Sequence, residues 1–108
     1  MAEIDTPRFI EIGLEEEIPV NERVFVEFEG RQIVIINLAG KLFAVGDVCT
    51  HDNGPAGDGE LDGHELICPR HGARFDIRSG KATRAPAFTD IPSFPVRVED
   101  GKIFIGIN

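Results

Sequence analysis

Cys49 with His51 and Cys68 with His71 constrain this chain more than any other feature: they read C-x-H and C-x2-H and are separated by the sixteen residues Asp52 to Ile67. They use both cysteines and two of the three histidines in 108 residues. Side chains two or three positions apart converge on one centre only where the backbone turns sharply, and both pairs lie among turn-forming residues. A fold that uses them must bring two loops together at their tips. Cys49, His51, Cys68 and His71 are therefore the candidate metal ligands.

Around the pairs the pattern is that of strands. Arg23 to Glu29 puts Val24, Val26 and Phe28 on one side, because successive strand side chains point to opposite faces. Glu29-Gly30 turns this segment into Arg31 to Leu38, and Ala39-Gly40 turns that into Lys41 to Asp47. Asp100-Gly101 joins Phe94 to Glu99 with Lys102 to Ile107. Arg8 to Ile12, Glu65 to Cys68 and Arg74 to Ile77 are further strands, and no long helical pattern appears. Many short strands punctuated by glycine and proline predict an all-β chain, a small antiparallel β-sandwich or partly open barrel. One domain over residues 1–108 is expected from the length. Glycine, aspartate and proline replace β-branched residues from Val48 onward, opening an insertion over about residues 48–78 that carries the ligand pairs. Ala85 to Pro95, with Pro86, Pro92 and Pro95, forms a third loop without ligands.

Nineteen acidic against eleven basic side chains give a formal charge of -8, which repels a phosphate backbone and excludes nucleic acid as a partner. A basic patch on another protein is the natural electrostatic complement. The longest apolar run, Ile33 to Ile36, is strand-sized, so no membrane span is expected. The acidic start Met1-Ala2-Glu3-Ile4-Asp5 has no apolar signal region, which predicts a cytoplasmic protein. A lone disulfide would leave the paired histidines unexplained. His64 reads as a surface residue, Glu15-Glu16-Glu17 as a solvated face, and the eight phenylalanines mostly as core.

Two thiolates and two imidazoles suit a tetrahedral structural zinc. They equally suit a [2Fe-2S] cluster with both cysteines on one iron and both histidines on the other. A mononuclear oxygen-activating iron site would instead call for a carboxylate beside two histidines. A zinc finger would place a helix between the pairs, whereas the sixteen-residue spacer here is turn-rich and ends in a strand.

Cys49-Thr50-His51 and Cys68-Pro69-Arg70-His71-Gly72, with their spacer and the proline-bearing Ala85-Pro86-Ala87, resemble the signature of Rieske-type proteins. The chain is most similar to the soluble, low-potential Rieske-type [2Fe-2S] ferredoxins of Rieske non-haem iron oxygenase systems. The resemblance implies a Rieske-type β fold with a cluster-binding loop subdomain at one end and one [2Fe-2S] cluster. Cys49 and Cys68 would hold its inner iron, and His51 and His71 the outer iron at the exposed tip. It further implies a one-electron carrier that is not itself an enzyme. Such a carrier passes electrons from a flavin-dependent, NADH-using ferredoxin reductase to a terminal oxygenase or another acceptor. Gly54, Gly57 and Gly72 would let backbone amides approach the sulfurs.

Gly54 and Arg70 stand where the quinol-oxidising branch of the family carries a disulfide, and Ala73 and the lack of tyrosine remove two hydroxyl donors. The reduction potential is accordingly expected at the low end of the Rieske range, ~-150 mV. Rival readings of the same motif are the small subunit of an assimilatory nitrite reductase and a ferredoxin linked to iron-sulfur assembly. A zinc-stabilised protein-interaction module is the rival of another class.

Overall fold

The computed structural model describes residues 8–50 and 54–107. Its strands are β1 (Arg8–Leu14), β2 (Arg23–Phe28), β3 (Arg31–Leu38), β4 (Lys41–Gly46), β5 (Leu61–Asp62), β6 (Glu65–Ile67), β7 (Arg74–Asp76), β8 (Ala82–Arg84), β9 (Ser93–Phe94), β10 (Val96–Glu99) and β11 (Lys102–Ile107), with one 3-10 turn at Glu15–Glu17. They form three antiparallel sheets, ordered β1-β11-β10, β2-β3-β4-β9 and β5-β6-β7-β8. The all-β expectation holds, and no sheet closes into a barrel.

The three turns read from the sequence take the left-handed conformation at both central residues, Glu29-Gly30, Ala39-Gly40 and Asp100-Gly101. That matches the twist of the strands they join. Ala39 tolerates it because Asn21 and Asn37 side-chain oxygens accept the Ala39 and Gly40 N–H groups.

Ile33 to Ile36 form the middle of β3, and all four side chains are buried. Alternation along the strand sends Ile33 and Ile35 into one core with Ala44, Ile103, Ile105 and Ile107. Val34 and Ile36 point the other way, into a core with Val45, Leu66, Phe75, Ile77 and both cysteines. A continuous apolar run is what a strand covered on both faces requires. Each such burial stabilises the fold by about 1.5–3 kcal/mol. The first core joins the large sheet to β1-β11-β10; the second joins it to the small sheet that carries one ligand pair.

Phe94 to Glu99 is expected as one strand, yet it is divided at Pro95: Ser93–Phe94 pairs with β4, and Val96–Glu99 pairs with β11. Proline has no N–H to give to a ladder, so the chain changes sheets there. The Pro95 carbonyl still accepts the Gly106 N–H at 2.9 Å.

Gly59 is fixed by a close approach. A Cβ on it would stand 1.8 Å from the Ile67 carbonyl oxygen, a backbone atom that cannot step aside. Gly63 in the β5–β6 turn needs only its positive φ of 61° and has open space around it. Gly59→Ala should lower the unfolding free energy by about 2–4 kcal/mol, against about 1 kcal/mol for Gly63→Ala. Urea unfolding of the two variants checks the contrast.

Candidate metal centre

The cysteines of both candidate ligand pairs follow the ends of strands. Cys49 follows β4 by three residues, and Cys68 follows β6 directly. Each cysteine closes its own loop: the Cys49 N–H donates to the Gly54 carbonyl at 2.7 Å, and the Cys68 N–H donates to the Ala73 carbonyl at 2.7 Å. Within the second loop the Gly72 N–H turns back to the Cys68 carbonyl at 3.0 Å, with Gly72 at φ 76°. The same five-residue closure thus encloses a cysteine and a histidine twice.

Cys49 and Cys68 are both buried, form no disulfide, and belong to one core cluster alongside the small residues Ala56, Ala73 and Ala87. His71 is exposed at the tip of the second loop. The fourth predicted ligand, His51, lies outside the described residues. Among the described residues no three His, Cys, Asp or Glu side chains gather around a single point. Two thiols within the core and an imidazole at the surface divide the donor set into an inner and an outer half. That division fits a two-iron cluster, which takes thiolates on one iron and imidazoles on the other.

The loops are stitched to the scaffold by residues with no metal-ligand chemistry. Asp47 Oδ1 accepts the N–H groups of Ala56 and Gly57 at 3.0 and 2.6 Å. From β2, the Arg23 guanidinium donates to the carbonyls of Gly57 and Gly59 at 2.5 and 2.8 Å. The return leg of the first loop is therefore gripped by an anion on its amides and a cation on its carbonyls. It then lies on the approach to Cys68, where the Ile67 N–H donates to the Glu60 carbonyl at 2.9 Å. Arg70 bridges the loops directly, its Nη1 donating to the Pro55 carbonyl at 2.7 Å. A third tie runs from the Thr50 hydroxyl to the Thr89 carbonyl at 2.5 Å, linking the first loop to the proline-bearing segment.

The amides of Gly57 and Gly72 are engaged by the Asp47 carboxylate and the Cys68 carbonyl, bonds that shape the two loops. Arg23 and Asp47 are the functional residues that sequence reasoning misses. Asp47 carries a faint signal, two residues before Cys49; Arg23 carries none, because its partners lie 34 and 36 positions away. His64 is exposed as expected, its ring set edge-on to Phe43 with centroids 6.0 Å apart.

Behind the second loop, Asp76 organises the turn that supports the proline-bearing segment. Its carbonyl accepts the Gly80 N–H, and Gly80 in turn accepts from Ile91. The hydrogen-bonded Arg78 guanidinium holds the Asp76 carboxyl below the ordinary carboxylate range, aided by the Arg78 backbone N–H. Across the small sheet, Arg74 is held ionised by hydrogen bonds to Asp62 and Glu65 at 2.9 and 3.0 Å.

The family profile described as the Rieske [2Fe-2S] domain matches residues 8–95. Among curated proteins, the ferredoxin component of the naphthalene 1,2-dioxygenase/salicylate 5-hydroxylase systems of a Ralstonia species is 33% identical over 100 residues, covering 93% of this chain and 96% of its own. Among solved structures, a Sphingomonas yanoikuyae B1 ferredoxin is 31% identical with a TM-score of 0.83, covering 94% of this chain and 100% of its own. A chain from the complex of reduced oxygenase and oxidised ferredoxin in carbazole 1,9a-dioxygenase has the same fold, with a TM-score of 0.82 at 22% identity, over 91% of this chain and 92% of its own.

Two measurements test this geometry. Arg70→Gln should leave global stability within about 1 kcal/mol, since the bond is exposed, while metal loss to an iron chelator accelerates roughly fivefold. Because the Asp76 carboxyl is depressed in the folded state, its stabilisation is present above the unfolded carboxyl value of about 4 and is lost as pH falls through the folded value. Asp76→Asn should therefore show a smaller loss of thermal stability than the parent between pH 6 and pH 3.

Proposed function

The chain belongs to the Rieske [2Fe-2S] domain family, and we propose that it is a one-electron carrier in which Cys49, His51, Cys68 and His71 hold a single cluster. The observation that carries this reading is the division of the donors, two buried thiols in one core and His71 at the exposed end of the second loop. When bound, the cluster stores and releases one electron. The protein supplies the rest. Burial of Cys49 and Cys68 keeps water from the thiolates, and the two closure bonds fix where each sulfur stands. Asp47, Arg23 and Arg70 hold the loops at constant separation, so little rearrangement accompanies a change of charge. The His71 imidazole at the surface shortens the path to an acceptor, and neutral imidazole nitrogens raise the potential relative to an all-thiolate centre.

The carrier is not itself an enzyme; its curated relatives are ferredoxin components of dioxygenase systems. We assign it the same place, taking electrons from a flavin-dependent, NADH-using reductase and delivering them to a terminal oxygenase. The reading covers residues 1–108 as one domain, with the cluster-binding insertion at about 48–78. No helix among the described residues is long and apolar enough to cross a membrane, and a cytoplasmic site of action is part of the proposal.

Anaerobically handled protein should contain two irons per chain, on the [2Fe-2S] assignment, and give a reduced-state EPR signal. Stoichiometric zinc with no such signal overturns the assignment. His71→Cys should lower the midpoint potential by on the order of 100 mV through the added thiolate charge, whereas Cys49→Ser should lose the iron.

A further inference from the structure

Phe88 is 87% exposed, more than Leu14, Val20, Phe25 or Val98, the other large apolar side chains at the surface of the described residues. It departs from the expectation that the phenylalanines are core, and its position is not slack. Ala87 beside it and Ile91 three residues on are buried. The Ala87 N–H donates to the Arg84 carbonyl, and the Ile91 N–H donates to the Gly80 carbonyl. The Asp90 carboxylate accepts the Ala82 N–H at 2.9 Å. A loop that buries residues on either side and leaves the phenylalanine in water is holding it out.

What it is held beside gives it a use. Thr89, next in the chain, accepts the Thr50 hydroxyl, and Thr50 stands between Cys49 and His51. The aromatic ring is thus carried one residue from a direct contact with the first ligand loop. Beside the second loop, a surface hollow of about 380 Å³ runs along Cys68, Pro69 and Gly72, with Asp58 and Glu60 on its rim. Both carboxylates are exposed. A rigid exposed aromatic loses little freedom when covered and contributes disproportionately to an interface, while flanking charges set the rate of encounter.

The geometry points to Phe88 as the apolar anchor by which the terminal oxygenase docks over the ligand loops, with Asp58 and Glu60 facing basic side chains of that partner. The inference rests on the carrier reading above. A second copy of this chain is a poor occupant, since it would bring a charge of -8 against -8. A neighbour of the same fold comes from a ferredoxin and oxygenase complex, and an acceptor seated here covers the end at which His71 is exposed.

The test uses cluster-loaded protein, reduced with dithionite and mixed by stopped flow with the oxidised oxygenase of a naphthalene dioxygenase system at sub-saturating concentration. Phe88→Ala should lower the second-order rate about tenfold. Phe88→Leu should recover most of it, and midpoint potential and EPR spectrum should stay unchanged in both. Asp58→Asn with Glu60→Gln should flatten the dependence of the rate on ionic strength. Equal rates for Phe88→Ala and the parent overturn the anchor, as does a loss that tracks a shifted potential. A defect confined to reduction by the reductase, or a parent dimer that Phe88→Ala dissolves, assigns the residue to another occupant and overturns it as well. No transfer by the parent protein overturns the docking inference, whereas failure of dithionite to produce the reduced-state EPR signal overturns the carrier reading.

Discussion

Because Ile33, Val34, Ile35 and Ile36 are buried alternately toward two different layers, β3 is shared by the two cores of the molecule. One face closes on β11, the other on the small sheet and the two cysteines. The thiols are therefore not appended to a finished domain. They complete a core whose other wall is the central strand, and the apolar contacts that fold the domain also set the depth at which sulfur sits. Loops grafted onto a rim would have no such reference.

Depth alone does not fix separation, and here the polar contacts decide. Asp47 and Arg23 grip the first loop from opposite sides of its backbone, while Gly59 presses it against the strand leading to Cys68. Arg70 then spans the loops with a hydrogen bond to the Pro55 carbonyl. A charged hydrogen bond at the surface is weaker than a disulfide, and it is also indifferent to thiol-disulfide exchange.

Legibility in the sequence follows the range of the forces involved. The hairpins at Glu29-Gly30, Ala39-Gly40 and Asp100-Gly101 are legible because a two-residue turn is a local matter. The candidate ligand pairs are legible because metal chemistry imposes spacing. The two-residue β5 and β9 and the three-residue β8 are not, since strands so short exist only through their neighbours. Pro95 does announce its break locally, and it was the signal available for dividing β9 from β10. Arg23 is silent for a different reason: its role depends on loop carbonyls that tertiary packing alone delivers. Phe88 follows neither pattern, because its exposure opposes the hydrophobic rule that makes the other phenylalanines readable.

The closure bonds of the ligand loops have an evolutionary consequence. Each begins at the amide of the cysteine itself and ends five residues on, so the cysteine is anchored at the base of its loop. Substitutions at Phe88 on the adjoining proline-bearing segment can alter what the protein recognises without touching either closure bond. Partner choice and electron affinity are thereby free to drift independently, which lets one inherited scaffold be re-assigned between pathways without rebuilding its centre.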